Sequence, residues 1–159
     1  MAQAYIGLGS NKGKRSENIN RAVWAISAVE GIKVKTVSGI YEAEQHHLGG
    51  NTSGSFAAIR VESELSAEML LDALLEIEAV FGKDKNRNSE KTIDLDLLYF
   101  EGVEMDTERL TLPHKQLLNR PYVICTLLNL YPDSILKKRL RELGEEGIKL
   151  TGDGLYLPL

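Results

Sequence analysis

The sequence predicts an α+β sandwich in which two helices cover one face of an antiparallel sheet. Over the first hundred residues, short β-like segments and amphipathic helical segments follow in the order β-α-β-β-α-β, which is the split βαβ arrangement. The chain of 159 residues is 43% apolar, which is enough to bury one core. We therefore expect a single domain spanning residues 1–159.

The first half of this arrangement is predicted from local patterns. Residues 4–10 indicate a strand, because they are short, partly alternating and end in glycine and serine. Apolar residues recur at helical spacing between Ser16 and Val29, and Gly31 ends that helix. Residues 34–43 are rich in β-branched side chains and predict a strand. The polar, glycine-rich stretch from 44 to 54 predicts a mobile loop.

The second half repeats the pattern. Residues 56–62 predict a third strand, and Ser66 is expected to cap a helix whose apolar face ends at Gly82. Residues 83–91 form a basic polar loop. A strand is then predicted from Thr92 to Phe100, which completes the sandwich.

The remaining third of the chain predicts short extended pieces and two more helices. The extended pieces are Val103–Met105 and Leu110–Leu112. The segment from Tyr122 to Leu130 is apolar on most sides and should be buried, whereas Ser134–Leu143 has a basic, solvated face. We expect these to be extra C-terminal helices beyond the sandwich.

Composition excludes several classes of protein. The formal net charge of −4 gives no general affinity for nucleic acid or for a membrane surface. One cysteine, Cys125, lies in an apolar run and is expected to be a core thiol, so a disulfide framework is excluded. No uncharged run approaches the length that spans a bilayer, and we expect a cytoplasmic protein.

Asp94 and Asp96 are the strongest candidates for chemistry. Alternation along a strand places both carboxylates on one face, about 7 Å apart, with apolar residues on the other face. That face should therefore not be core. Carboxylates at this spacing suit magnesium, which takes oxygen ligands and keeps waters and substrate phosphates. The spacing alone fits an ordinary exposed strand face equally well.

Basic residues near the two aspartates favour the metal interpretation. A loop with four cationic side chains precedes them, and Arg109, His114 and Arg120 follow. Such groups neutralise the charge of metal-bound phosphates during phosphoryl transfer. The loop by itself could equally be a solvated run of charge.

Five motifs together resemble the 6-hydroxymethyl-7,8-dihydropterin pyrophosphokinases of folate biosynthesis. The motifs match in order and spacing over almost the whole chain, and lie at residues 4–11, 82–85, 92–98, 109–114 and 119–120. The resemblance implies a ferredoxin-like α+β sandwich with mobile loops. It also implies transfer of the terminal pyrophosphoryl group of ATP to the pterin hydroxymethyl group, with two Mg²⁺ ions and release of AMP.

The same resemblance implies roles for individual residues. Asp94 and Asp96 would hold both metal ions, and Lys83 and Lys91 would act with them in catalysis by neutralising phosphate charge. The substrate-binding residues would be Ala43, Glu44 and Tyr122, of which Tyr122 would stack on the pterin. The ATP site would comprise Glu78, Lys83, Leu97, Arg109, Thr111, His114 and Arg120.

This chain departs from the family pattern in its basic loop and in its pterin pocket. The loop has lysines where the family usually has arginines, and it lacks a tryptophan. Ala43 and Glu44 replace a Thr-x-Pro-x-Gly motif, and the asparagine expected at or beside Phe56 is missing. Two alternatives therefore stay open: a pyrophosphokinase with another pterin-like acceptor, or a non-catalytic nucleotide-binding relative. In each case we expect small-molecule ligands, neither nucleic acid nor membrane as partner, and a monomer or weak dimer.

Overall fold

The computed structural model describes residues 1–47, 50–81 and 92–155. Its helices and strands follow one another as β1 (Ala2–Ser10), α1 (Arg15–Ser27), β2 (Ile32–Val37), β3 (Tyr41–His47), β4 (Gly50–Ser63), α2 (Ala67–Phe81), β5 (Asp94–Phe100), β6 (Met105–Asp106), β7 (Thr111–Leu112), α3 (Pro121–Leu130), α4 (Ser134–Leu143) and β8 (Lys149–Leu150).

The main sheet has the order β5-β1-β4-β3-β8, and β2 also pairs with β4. All of these neighbours are antiparallel. The strand predicted at 34–43 is divided, so that β2 and β3 pair with opposite ends of β4. The division falls at Ser38, whose backbone N–H donates to the Ala58 carbonyl and whose Oγ accepts from the Ala58 N–H at 2.8 Å. The predicted α+β sandwich is confirmed.

The loop predicted at residues 44–54 is wrong over most of its length. β3 continues to His47 and β4 begins at Gly50, with Ala43 opposite Gly54 and Glu44 opposite Ser53. Backbone ladder bonds between the two strands hold this polar, glycine-rich segment in extended form. Backbone pairing of this kind does not require alternating apolar side chains. The sequence of this segment shows no such alternation, and a strand was therefore not predicted there.

Helices α1 and α2 pack on one face of the sheet, as predicted. Ile19 and Ile26 of α1 and Leu74 of α2 are almost fully buried against this face. The sheet contributes Ile6 from β1 and Ile59 from β4 to the same core. The apolar spacing of the two helical segments therefore identified the faces that form the first core.

A second core lies on the opposite face, beneath α3 and α4. Ile124 of α3 and Leu140 of α4 pack there with Leu98 of β5 and Ala58 of β4. Leu98 shares the face of Asp96 by strand alternation, and it is the extra residue where the pairing of β1 with β5 shifts register. The expectation that the aspartate face is not core is therefore wrong at Leu98, although Asp94 and Asp96 themselves remain partly exposed.

The C-terminal helices and short strands lie close to their predicted positions. α3 has Pro121 in its first turn, where the missing N–H has no helical partner to lose. The extended pieces predicted on either side of residue 107 form the β6–β7 hairpin. β8 was not predicted, since two residues are too few to show a pattern. In the described parts of the chain, no helix is both long and apolar enough to cross a bilayer.

Candidate active site

Two glycines of β1 form a floor without side chains beside the two aspartates. Gly9 is opposite Asp94, and Gly7 is opposite Asp96. A Cβ added to Gly9 would lie 3.2 Å from the Phe56 ring, and one added to Gly7 would lie 3.2 Å from Leu98 Cδ1. The side chains of Phe56 and Leu98 therefore lie directly over the two glycines, and this close approach favours glycine at both positions.

Asp94 and Asp96 line two cavities at once. The larger cavity has a volume of about 760 Å³ and the smaller about 250 Å³. Because the same two residues border both, Asp94 and Asp96 form a shared wall between them. A group bound on one side of this wall lies next to a group bound on the other side.

The larger cavity contains the three residues that were predicted to bind the acceptor. Ala43, Glu44 and Tyr122 line it together with Arg120. The Tyr122 ring stacks on Phe56, with 4.1 Å between ring centroids and 29° between planes.

Phe56 lies on the same row of the sheet as Asp94. Both are in register with Gly9, which occupies the strand between them. With strands spaced about 5 Å apart, the two backbones are about 10 Å apart across a bare glycine. The aromatic pair and the aspartates therefore border the same cavity on one face of the sheet.

The smaller cavity brings together most of the residues predicted for ATP. Glu78 Oε2 accepts a hydrogen bond from the Leu95 N–H at 2.8 Å, which ties α2 to β5. Leu97 is buried in the first core, so only its backbone is available to a ligand. The cavity is lined by Glu78, Asp94, Asp96, Leu97, Arg109, Thr111 and His114, among others.

Arg109 and Thr111 are held by neighbouring carboxylates. Arg109 forms an ion pair with Asp72 of α2, and both side chains are largely exposed. Thr111 Oγ1 donates to Asp106 Oδ1 at 3.4 Å, across the β6–β7 hairpin. These contacts orient the two side chains at the edge of the smaller cavity.

Asp96 is flanked by an imidazole and a guanidinium. His114 Nε2 lies 3.7 Å from one carboxylate oxygen, and Arg120 Nη1 lies 3.5 Å from the other. His114 Nδ1 accepts the N–H of Gln116 at 3.1 Å, so the neutral ring carries its proton on Nε2, towards Asp96. Both donors therefore lie beside the aspartate that separates the cavities.

The two aspartates fit a magnesium site. They are partly exposed oxygen ligands on one strand face, next to space for further ligands. Among the residues that the structure describes, no three His, Cys, Asp or Glu side chains converge as metal ligands. Waters and ligand phosphates would have to complete the coordination, which is how magnesium usually binds at nucleotide sites.

The structure brings most of the predicted site residues together, but not all of them can be placed. Lys83 and Lys91 lie outside the described residues. Sequence reasoning missed Glu146 and Ile148, which line the larger cavity from beyond α4. No local pattern marks these two residues, because they reach the cavity only through the pairing of β8 with β3.

Comparisons with known proteins identify the family. The family model described as 7,8-dihydro-6-hydroxymethylpterin-pyrophosphokinase (HPPK) matches residues 5–132. A 2-amino-4-hydroxy-6-hydroxymethyldihydropteridine pyrophosphokinase of Methylorubrum extorquens is 33% identical, over 94% of this chain and 98% of the relative. The enzyme of that name from Haemophilus influenzae is 36% identical, over 86% of each chain.

Longer proteins also contain a matching region. Folic acid synthesis protein fol1 of Schizosaccharomyces pombe is 34% identical over 92% of this chain, which corresponds to 21% of that protein. A crystal structure of an HPPK-DHPS in complex with substrates has the same fold, with a TM-score of 0.65 and 12% identity. That match covers 89% of this chain and 43% of the other. From the family match and the Methylorubrum and Haemophilus relatives, we conclude that this chain belongs to the 7,8-dihydro-6-hydroxymethylpterin-pyrophosphokinase family.

Proposed function

We propose that this chain transfers the pyrophosphoryl group of ATP to the hydroxymethyl group of 6-hydroxymethyl-7,8-dihydropterin, a step of folate biosynthesis. In this reaction the acceptor oxygen bonds to the β-phosphorus and its hydroxyl proton is released, while the bond from that phosphorus to the α–β bridging oxygen breaks and AMP leaves. The observation that carries the proposal is the position of Asp94 and Asp96 as the shared wall of two cavities. A nucleotide in one cavity then presents its phosphates to an acceptor in the other.

The nucleotide is assigned to the smaller cavity. Arg109, Thr111 and His114 supply donors there for phosphate or ribose oxygens, and Leu97 offers backbone groups. Glu78 supports the site indirectly, through its hydrogen bond to the backbone of β5. Lys83 and Lys91, outside the described residues, are proposed to neutralise phosphate charge.

Asp94 and Asp96 are proposed to hold two Mg²⁺ ions. When bound, magnesium neutralises the phosphates and orients them for in-line transfer. Arg120 and His114 lie beside Asp96, where their N–H groups can stabilise charge on the phosphate oxygens.

The acceptor is assigned to the larger cavity. The partly exposed ring of Tyr122, which is stacked on the buried Phe56, offers a flat apolar surface for a bicyclic heterocycle. From that surface the hydroxymethyl group can extend within the same cavity towards Asp94. Ala43 and Glu44 border the cavity at the edge of β3. This arrangement favours a planar acceptor over a flexible one.

AMP formation from ATP and Mg²⁺, with and without the dihydropterin, tests the proposal. We expect acceptor-dependent AMP in the natural chain and a loss of at least about a hundredfold in kcat for Asp94→Asn and Asp96→Asn. Glu30→Gln, at an exposed position in the turn after α1, is the matched control and should retain full activity. Binding of both ligands without AMP formation in the natural chain would contradict the proposal and favour a non-catalytic relative.

We also propose the kind of ligand, the oligomeric state and the location of this chain in the cell. We take it to work on small molecules alone, as a monomer or weak dimer in the cytoplasm. Sedimentation at working concentration distinguishes these states, and activity that depends on a second copy would contradict this part.

A further inference from the structure

The C-terminal strap, residues 144–155, forms part of the wall of the larger cavity. It follows α4 and lies beyond residue 132, where the match to the family model ends. β8, within the strap, pairs with Tyr41 and Glu42 of β3. The backbone N–H and the Oγ1 of Thr151 both donate to the Ile40 carbonyl, at 2.8 and 2.9 Å.

Contacts with α1 fix the far end of the strap. Ser16 Oγ donates to Asp153 Oδ2 at 2.8 Å, and Asn20 Nδ2 donates to the Gly154 carbonyl at 3.0 Å. Leu155 is buried in the first core. The strap is therefore anchored on both sides of the sheet edge, and the turn before β8 is held in place.

That turn places Glu146 on the cavity. Gly144 and Gly147 adopt φ values of +84° and +77°, a conformation that suits glycine and reverses the chain on either side of Glu146. Ile148 packs against the second core and lines the cavity with Glu146. Ile148, which is partly buried, thus fixes the backbone two residues from Glu146, whose own side chain is exposed at the cavity rim.

Glu146 is an acidic residue of the larger cavity with no role in metal binding assigned to it. The other acidic residues lining the larger cavity are Glu44, Asp94 and Asp96. The aspartates are assigned to the metal ions. Side chains alternate along a strand, so Glu44 lies on the same face of β3 as Glu42. The Glu42 carboxylate pairs with Arg15 of α1 at 3.4 Å, so this face of β3 is directed towards α1 and away from α3.

The chemistry of the acceptor matches a carboxylate. A 2-amino-4-hydroxypteridine in its 4-oxo form presents two adjacent N–H donors, at the amino group and at N3. A carboxylate accepts two parallel donors in bidentate geometry. Phe56 stands where the family resemblance places an asparagine, and its ring offers no hydrogen bond to this edge.

We propose that Glu146 of the C-terminal strap accepts hydrogen bonds from the amino-pyrimidine edge of the acceptor and sets the specificity of this site. This inference rests on the proposed function. It predicts that acceptor recognition depends on a residue outside residues 5–132, the range that the family model matches.

The test measures acceptor binding directly, so that it does not depend on catalysis. The dissociation constant of 6-hydroxymethyl-7,8-dihydropterin is measured by ligand fluorescence, with Mg²⁺ and a non-hydrolysable ATP analogue present. Glu146→Gln is expected to weaken acceptor binding by about ten- to a hundredfold, because charge-assisted hydrogen bonds are lost. The nucleotide dissociation constant should stay within about twofold of the natural value. Glu30→Gln should change neither.

An acceptor analogue without the 2-amino group separates recognition from a structural effect. The natural chain should bind this analogue more weakly than the full acceptor. The affinity of Glu146→Gln, by contrast, should differ little between the analogue and the full acceptor. Equal acceptor binding by Glu146→Gln and Glu30→Gln overturns the inference. So does a natural chain that does not bind the acceptor at all. Binding without AMP formation contradicts only the proposed function.

Discussion

Asp96 lies next to both a histidine and an arginine of this site. His114 and Arg120 approach its two oxygens at 3.7 and 3.5 Å, and all three side chains are partly exposed. Ion pairs at such exposure add little to folding stability, because water screens them. Their effect is to orient the carboxylate and to offset the repulsion from Asp94, which supports a role in binding rather than in the fold.

Cys125 allows a prediction about pH. Burial raises the pKa of its thiol to about 11, and the Glu145 carboxylate, 3.8 Å from the sulfur, adds to the increase. A raised pKa favours the protonated thiol in the folded chain. Its contribution to stability should be complete below the ordinary pKa near 9, and should be lost as the pH rises towards 11.

Urea unfolding of the natural chain and of Cys125→Ala at pH 8.5 and 10.5 measures this contribution. The free energy of unfolding should fall further in the natural chain than in the variant, by on the order of 1–2 kcal/mol. The pKa values of Tyr5, Tyr41 and Tyr131 are also raised, chiefly by burial. These tyrosines are present in both proteins, so their effect on the free energy of unfolding largely cancels in the comparison. Parallel pH profiles would contradict the assignment.

Among the elements, α4 depends on a local cap. Asp133 precedes the helix, and its side chain accepts the N–H of Leu136 at 2.9 Å. Asp133→Ala should lower the free energy of unfolding by about 1 kcal/mol, since that N–H loses its partner. Asp133→Asn retains a capping oxygen and is the matched control. Equal losses in the two variants, measured by denaturant unfolding, would exclude the capping mechanism.

In helix α2, two adjacent leucines should contribute very differently to the free energy of unfolding. Leu74 is 1% exposed in the first core, whereas Leu75 is 47% exposed. Leu74→Ala should lower the free energy of unfolding by about 2–5 kcal/mol, because it removes buried methyl groups and leaves a cavity. Leu75→Ala should cost less than about 1 kcal/mol. Similar losses in thermal or urea unfolding would mean that α2 packs on another face.

At the element scale, the sequence predicted helices better than strands. The predicted starts of α1, α3 and α4 lie within one residue of the observed starts, because capping and helical spacing are local signals. The second half of β3, beyond Ala43, and the whole of β8 escaped prediction, since their pairing depends on partners distant in sequence. The register shift at Leu98 is likewise a property of two strands together.

At the scale of the whole molecule, both cavities border Asp94 and Asp96, so ligand binding should be linked to folding through them. A non-hydrolysable ATP analogue with Mg²⁺, at about a hundred times its dissociation constant, should add about 2.7 kcal/mol to the free energy of unfolding. Asp96→Asn should reduce this gain, because the metal would lose a ligand.

Thermal unfolding with and without ligand measures that linkage. Omitting Mg²⁺ provides a control in which natural chain and variant should behave alike. An equal, Mg²⁺-dependent gain in both proteins would show that Asp96 takes no part in nucleotide binding. The fold would be unaffected by that result, since neither aspartate belongs to a core.

The sequence by itself determined the α+β class, the two helices of the first core, the family, and the shared strand face of Asp94 and Asp96. These features depend on residue spacing and on motifs, which are local along the chain. Only the tertiary structure placed the aspartates between two cavities, stacked Phe56 on Tyr122 and brought Glu146 to the rim. Each of these depends on strand register and on packing between segments far apart in sequence, and no local pattern records such pairings.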